Sequence, residues 1–232
     1  MTWIMKKTAL ILIISGFAIT GFIACEKDDV ETPTLKLEFN TVKSESNLKN
    51  TAANSIEFTS GQIIFESIEF ESESENDTIE LEFEIESYIT LDFATGETTP
   101  DLSPIEIFPG NYTEIELEFE LWDQTEQASI DLSGTWTDTE GTPHPIRLTM
   151  PLGQTFSLEI EGEFIVDENT AMVAQITIDP SAWFMGEAGE LLPSATTDNE
   201  GIIVVSPDQN YNIYDIVKDA IDRTSEIEIE IE

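Results

Sequence analysis

A single cysteine and a single histidine stand in a chain of 232 residues, beside only nine lysines and arginines. One cysteine excludes an intrachain disulfide and any thiolate cluster for a metal. The lone His144 lies between Pro143 and Pro145 in a predicted turn. It offers little to a zinc or copper site, or to a nucleophile–base pair. No glycine-rich phosphate loop is present. Against nine basic residues stand 48 acidic ones, for a formal net charge of −39. That balance excludes nucleic acid as a partner, because phosphate binding rests on basic groups, and it opposes docking on anionic lipid headgroups. With 40% apolar residues in patterned order, the chain is nonetheless expected to fold rather than stay disordered.

What the chain has in abundance is alternation. Residues 78–86 read TIELEFEIE, with Ile79, Leu81, Phe83 and Ile85 on one parity and Glu80, Glu82, Glu84 and Glu86 on the other. Period two is the signature of a half-buried strand. Glutamates facing each other on neighbouring strands about 5 Å apart repel by roughly 0.8 kcal/mol per pair in water, before salt screening. Burying each Ile, Leu or Phe returns roughly 1.5–3 kcal/mol. Burial wins, and the acidic face discourages edge-to-edge pairing and aggregation.

The same period recurs from Leu35 onward. Strands are predicted at 35–42, 55–58, 62–71, 78–86, 89–93, 105–108, 113–122, 129–136, 146–150, 155–166, 172–178 and 202–206, with turns at Ser60-Gly61, Pro109-Gly110-Asn111 and Glu140-Gly141 among others. Helix is scarce. Tyr211–Arg223 carries Ile213, Ile216, Val217, Ala220 and Ile221 at helical spacing, and Pro180 opens a short turn in DPSAWFMG. The closing SEIEIEIE reads as a last strand or as an acidic tail. The expected fold is all-β, an antiparallel sandwich with one short C-terminal amphipathic helix. WDQTEQA (122–128) is the weakest-patterned point. It divides residues 35–125 from a second β-rich segment, 126–232, with one continuous body as the alternative.

The N-terminus, MTWIMKKTALILIISGFAITGFIAC, has a Lys6-Lys7 positive region, an apolar run from Ala9 to Ile23 and a small residue before Cys25. It reads as a secretory signal over 1–24. As a membrane anchor the run falls short of the ~20 residues a span needs. FIAC resembles a bacterial lipobox, with Phe22 in place of the usual Leu, which implies acylation of Cys25. Lys27, Asp28 and Asp29 behind it resemble the surface-export signal of Bacteroidota lipoproteins, within a polar tether over 25–34. These resemblances imply attachment to the outer membrane through acyl chains and display at the cell surface. Two or three chains would anchor firmly where one, at about 0.8 kcal/mol per buried CH₂, would not.

Few residues suggest chemistry. Asp208, Asn210, Asn212 and Asp219 fall loosely at calcium-loop spacing, but Ile213 stands where a glycine should turn the chain, and the asparagines equally suit capping the helix that follows. Trp122, Trp136, Trp183 and the pair Trp183-Phe184 are candidates for a ligand patch, sugars above all, against the alternative of core packing. Paired carboxylates of a glycosidase cannot be singled out among 48 acids. Asp77-Thr78-Ile79 resembles the Bacteroidota O-glycosylation acceptor.

The stretches SIEFTSGQIIFESIEFES (55–72) and YITLDFATGETTPDLSPIEIFPGNYTEIELEFEL (88–121) resemble uncharacterised Bacteroidota surface lipoproteins. Their Pro-Gly-x-Tyr turn before a long strand is similar to that of fimbrillin-type and transthyretin-like sandwiches. The resemblance implies a surface β-sandwich and brings no catalytic residues. The expectation is a non-enzymatic protein of adhesion or of ligand or glycan capture. The alternatives are an accessory subunit of a fimbrial or envelope assembly and a carbohydrate-active enzyme.

Overall fold

A computed structural model describes residues 32–42, 55–74, 81–123, 127–151, 155–168, 170–221 and 226–231. The signal segment 1–24, Cys25, the Lys27-Asp28-Asp29 signal and the Asp77-Thr78-Ile79 acceptor lie outside the described residues.

The chain forms strands β1 (Thr34–Thr41), β2 (Ser55–Ser74), β3 (Leu81–Asp92), β4 (Thr98–Thr99), β5 (Ile105–Glu106), β6 (Gly110–Leu121), β7 (Ile130–Thr137), β8 (Pro143–Met150), β9 (Thr155–Val166) and β10 (Ala171–Ile178). After β10 come a 3-10 turn (Ala182–Phe184), helix α1 (Glu187–Leu191), β11 (Ile203–Val205), helix α2 (Tyr211–Lys218) and β12 (Glu226–Ile231). One sheet has the order β12-β10-β1-β5, and the other runs β11-β8-β7-β2-β3-β4. β6 joins the second sheet beside β2, with β9 beyond it. Phe39 of β1 stacks on Phe65 of β2 at 5.8 Å and meets Phe119 of β6 edge-on at 5.9 Å, which fixes the two sheets face to face. The result is the expected all-β sandwich, and SEIEIEIE contributes its last strand, antiparallel to β10.

Strand direction departs from the expectation. β1 runs parallel to β10 and β11 parallel to β8, so the sandwich is mixed rather than wholly antiparallel. Period-two burial specifies which face is inward but not which way a neighbour runs. Strands from either side of residue 125 exchange partners: β1 lies beside β10, and β2 beside β7. One hydrophobic cluster draws on both segments, from Leu35 to Ile221.

β2, 20 residues long, organises the second sheet. Its first half pairs with β7, its second half with β6, and residues 62–72 pair with β3 on the other side. Ser60-Gly61 is therefore not a turn but lies inside the strand, at an irregularity in the β7 register. Gly61 has φ +133°, and a Cβ there would stand 2.1 Å from the Asp131 carbonyl oxygen. Glycine is what lets the two backbones come so close. His144 also moves out of its predicted turn. It sits in β8 opposite Trp136, and the turn falls at 138–142, where Asp138 Oδ1 accepts the Glu140 and Thr142 amides at 2.8 Å each. The helix is shorter than the periodicity suggests, because α2 ends at Lys218.

Candidate functional site

The outer face of β3, β2 and β6 carries the carboxylates in register. Glu82, Glu71 and Glu116 form one row across the three strands, and Glu84, Glu69 and Glu118 the next. Glu82, Glu84 and Glu86 are exposed, as the alternation requires. The apolar side of the same segment is less well covered: Phe83 is 39% exposed and Ile85 half-buried, while their β2 partners Phe70 and Ile68 are buried. β4 pairs only with Thr90 and Leu91, so residues 81–86 form an edge among the described strands, and the charged row there blunts it. At the centre of the array, burial raises the pKa of Glu69 above its ordinary value, and the charges of Glu71, Glu118, Glu84 and Glu82 add to the shift.

Two rows further along, aromatics replace the acids. On the outward parity of β3, Glu82, Glu84 and Glu86 are followed by Tyr88; on that of β6, Glu116, Glu118 and Glu120 are followed by Trp122. β2 lies between these strands, which sets them about 9–10 Å apart. The Tyr88 and Trp122 rings nevertheless meet over β2, with centroids 4.9 Å apart and planes at 86°. A bulge makes this possible. Between Phe65 and Ser67 the register slips against both neighbours: Glu66 is an extra residue of β2 against β6, and on the other side Ser87 and Tyr88 of β3 together face that single residue. A bulge re-aims the side chains around it, and the small Ser67 leaves room beneath the rings. Its hydroxyl donates to Glu120 Oε2 at 3.3 Å. Trp122 is tied down by its own amide, which donates to the Ile64 carbonyl at 3.0 Å. Tyr88 is 43% exposed. Both rings line a concavity of about 360 Å³ with Glu66, Ser67, Glu84, Glu86, Ser87 and Glu120.

A second, shallower concavity of about 600 Å³ lies on the outer face of β2, β7 and β8. Gly61 and Gly134 flatten its floor, and Arg147 crosses it to Asp131 in a two-pronged pair at 2.7 and 2.5 Å. All three described cations are engaged with carboxylates: Arg147 here, Lys36 with Glu38, and Lys218 with Asp215 and Asp219.

The sequence candidates fare differently. Trp183 and Phe184 form no surface patch. Both are 2% exposed, and Phe184 packs on Phe58 at 5.8 Å, because the 3-10 turn lays its apolar side on β2. Trp136 is buried too and stacks on His144 at 5.0 Å. Trp136 and Phe184 still line a smaller concavity of about 230 Å³ beside Ile56 and Met185, whereas Trp122 lines the groove over β2, which Tyr88, not among the sequence candidates, completes. At the Pro109-Gly110-Asn111 turn, the buried Tyr112 donates its hydroxyl to the Phe108 carbonyl at 2.6 Å and leaves the Phe108 ring 60% exposed.

The calcium set is not brought together. Asn210 occupies the left-handed region (φ 54°), and its side-chain oxygen accepts the Thr196 amide at 2.8 Å. Its amide nitrogen donates to the Thr196 and Val204 carbonyls. Asn210 thus stands at the cap position of α2 without capping it, and ties the 196 loop to β11 instead. Asp208 and Asn210 stand before α2, Asn212 lies in its first turn and Asp219 caps its far end beside Lys218, so the helix spreads the four along its length. Among the described residues no group of three or more His, Cys, Asp or Glu is arranged to hold a metal ion. Among the side chains whose burial is described no Asp or Glu is fully buried, and among the described residues no helix is long and apolar enough to cross a membrane.

Comparison of the chain with protein-family models, with curated proteins and with solved structures finds no match.

Proposed function

We propose that this chain is an outer-membrane lipoprotein, held through acyl chains on Cys25, displayed at the cell surface and used there to capture a ligand without transforming it. The anchoring half of this reading is carried by the N-terminal sequence: the Lys6-Lys7 region, the short apolar run, the lipobox-like FIAC and the Lys27-Asp28-Asp29 signal. The capture half is carried by one observation. A sheet face built of repelling carboxylates is interrupted at one end by two aromatic rings that are held in place and left partly open to solvent. An exposed aromatic pair at the rim of a polar surface suits recognition of a glycan or protein ligand, since rings supply contact area and the surrounding acids supply hydrogen-bond acceptors. A hydrolytic alternative would call for a pair of desolvated carboxyls flanking a scissile bond; the carboxylates around the groove are solvated instead.

Protease shaving of intact cells tests the display: the sandwich should be released from cells whose cytoplasmic proteins stay intact. Full protection would move the protein to the inner leaflet. Cys25→Ala should abolish incorporation of labelled fatty acid. Retention of the label would show that Cys25 is not the anchor.

A further inference from the structure

We infer that the ligand taken by the Tyr88–Trp122 groove carries an organic ammonium ion. This rests on the capture reading above and narrows it to a chemical class. The first ground is the pair of rings. An aromatic face is the negative pole of the ring quadrupole, so a cation seated against it is attracted, and alkylated ammonium groups are the ligands that use this most fully. Two rings at right angles lining one groove present aromatic surface from two directions to a single group. The second ground is the rest of the wall. Glu84, Glu86 and Glu120 line the same concavity, and a ligand seated there displaces water from their carboxylates. A neutral donor can replace part of that hydration but leaves the carboxylate charge uncompensated, and an anion is repelled. A cation is drawn to both walls at once. The third ground is supply and size. The chain's net charge of −39 concentrates cations near its surface before any contact is made. About 360 Å³ accommodates an ammonium head with a few substituents.

The ammonium can be borne by a free small amine or by an amino sugar within a glycan, and the two are separated by choice of probe. Full-length protein labelled with 5-fluorotryptophan gives one ¹⁹F signal per tryptophan, and Trp122→Phe assigns the one that matters. Choline should move the Trp122 signal saturably. Its uncharged isostere 3,3-dimethyl-1-butanol, of the same shape, should bind at least about tenfold more weakly. A glucosamine tetramer binding where its N-acetylated form does not would assign the ammonium to a glycan. Choline alone binding would assign it to a small amine. Rising salt should weaken choline binding.

Tyr88→Ala should weaken choline binding at least about tenfold. Should the alanine variant disturb the sheet, the triple variant Glu84→Gln, Glu86→Gln, Glu120→Gln keeps both rings and should reduce the preference for choline over its isostere at least about threefold, leaving the share that the rings supply. Equal binding of the two probes to the unmodified protein would overturn the ammonium class while leaving capture at the groove standing. A Trp122 signal that none of the four probes moves would overturn both. A preference left undiminished by the triple variant would overturn the part of the inference that rests on the carboxylates.

Discussion

Tyr88 lies in β3 and Trp122 directly follows β6, two strands that do not pair with each other, yet the rings meet edge to face, 4.9 Å apart, above the strand that separates them. The contact closes over the bulge at Glu66, where the ladder is irregular on both sides. Edge-to-face pairs contribute roughly 0.5–1.5 kcal/mol beyond the area they bury, and partial exposure puts this one toward the lower end. A double-mutant cycle with Tyr88→Ala and Trp122→Ala, read by denaturant unfolding, should give a coupling of about 0.5–1 kcal/mol. A coupling of zero would mean that the rings are neighbours without holding each other.

Glu69 yields a prediction with a definite sign. Burial first, and then the charges of Glu71, Glu118, Glu84 and Glu82, raise its folded-state pKa above the ordinary 4.5. A carboxyl whose pKa is raised on folding binds its proton more tightly in the native state, so it favours folding below its unfolded pKa and loses that contribution as pH rises through the folded value. At neutral pH the ionised group is a net cost. Glu69→Gln should therefore raise the melting temperature at pH 7, by a small amount because solvent screens the surrounding charges. The gain should shrink below about pH 4.5 and in high salt. A variant no more stable than the parent at pH 7 would mean that the acidic ladder is fully screened.

Much of this was legible in the sequence, and what was not has physical reasons. The outward turn of Glu82, Glu84 and Glu86 follows from period two alone, as does the last strand at 226–231. The parallel pairing of β1 with β10 does not, since alternation says nothing about the neighbour's direction. Tyr88 and Trp122 are each the next outward position after three glutamates, a signal available to a parity count. The bulge that swings them together across β2 has no mark in the sequence, because Glu66 is one acid among many. Trp183 and Phe184 misled because a short turn has no period from which to tell its inner side. Asn210 misled because its αL backbone turns the side chain back toward Thr196 and Val204.

Gly61 is where the backbone geometry makes the strongest demand. Its φ of +133° is disfavoured for any L side chain, and a methyl group would be driven to 2.1 Å from the Asp131 carbonyl oxygen, a backbone atom that cannot swing aside. Gly61→Ala should cost at least about 1–3 kcal/mol from the conformation alone, with the clash added. The damage should centre on the β2–β7 ladder, where hydrogen exchange would report earlier opening of the Leu132 and Ile63 amides. Unchanged stability would mean that β2 and β7 can separate at this point without loss.

The β7–β8 turn supplies the opposite pH signature from Glu69. The His144 hydrogen bond to Asp138, 3.0 Å from Nε2 to Oδ2, is the main reason the Asp138 carboxyl is held below its ordinary pKa, and the Thr142 and Glu140 amides add to it. A carboxyl whose pKa falls on folding contributes stability above its unfolded pKa and loses it as pH drops through the folded value. Asp138→Ala should thus lower the melting temperature at neutral pH, with parent and variant converging as the medium becomes acidic. His144→Ala removes the largest cause and one face of the Trp136 stack together, so it should reproduce the loss and also change the near-ultraviolet signal of Trp136. If Asp138→Ala instead left a gap that persisted unchanged into acid, the carboxyl would matter to the turn by shape and not by charge.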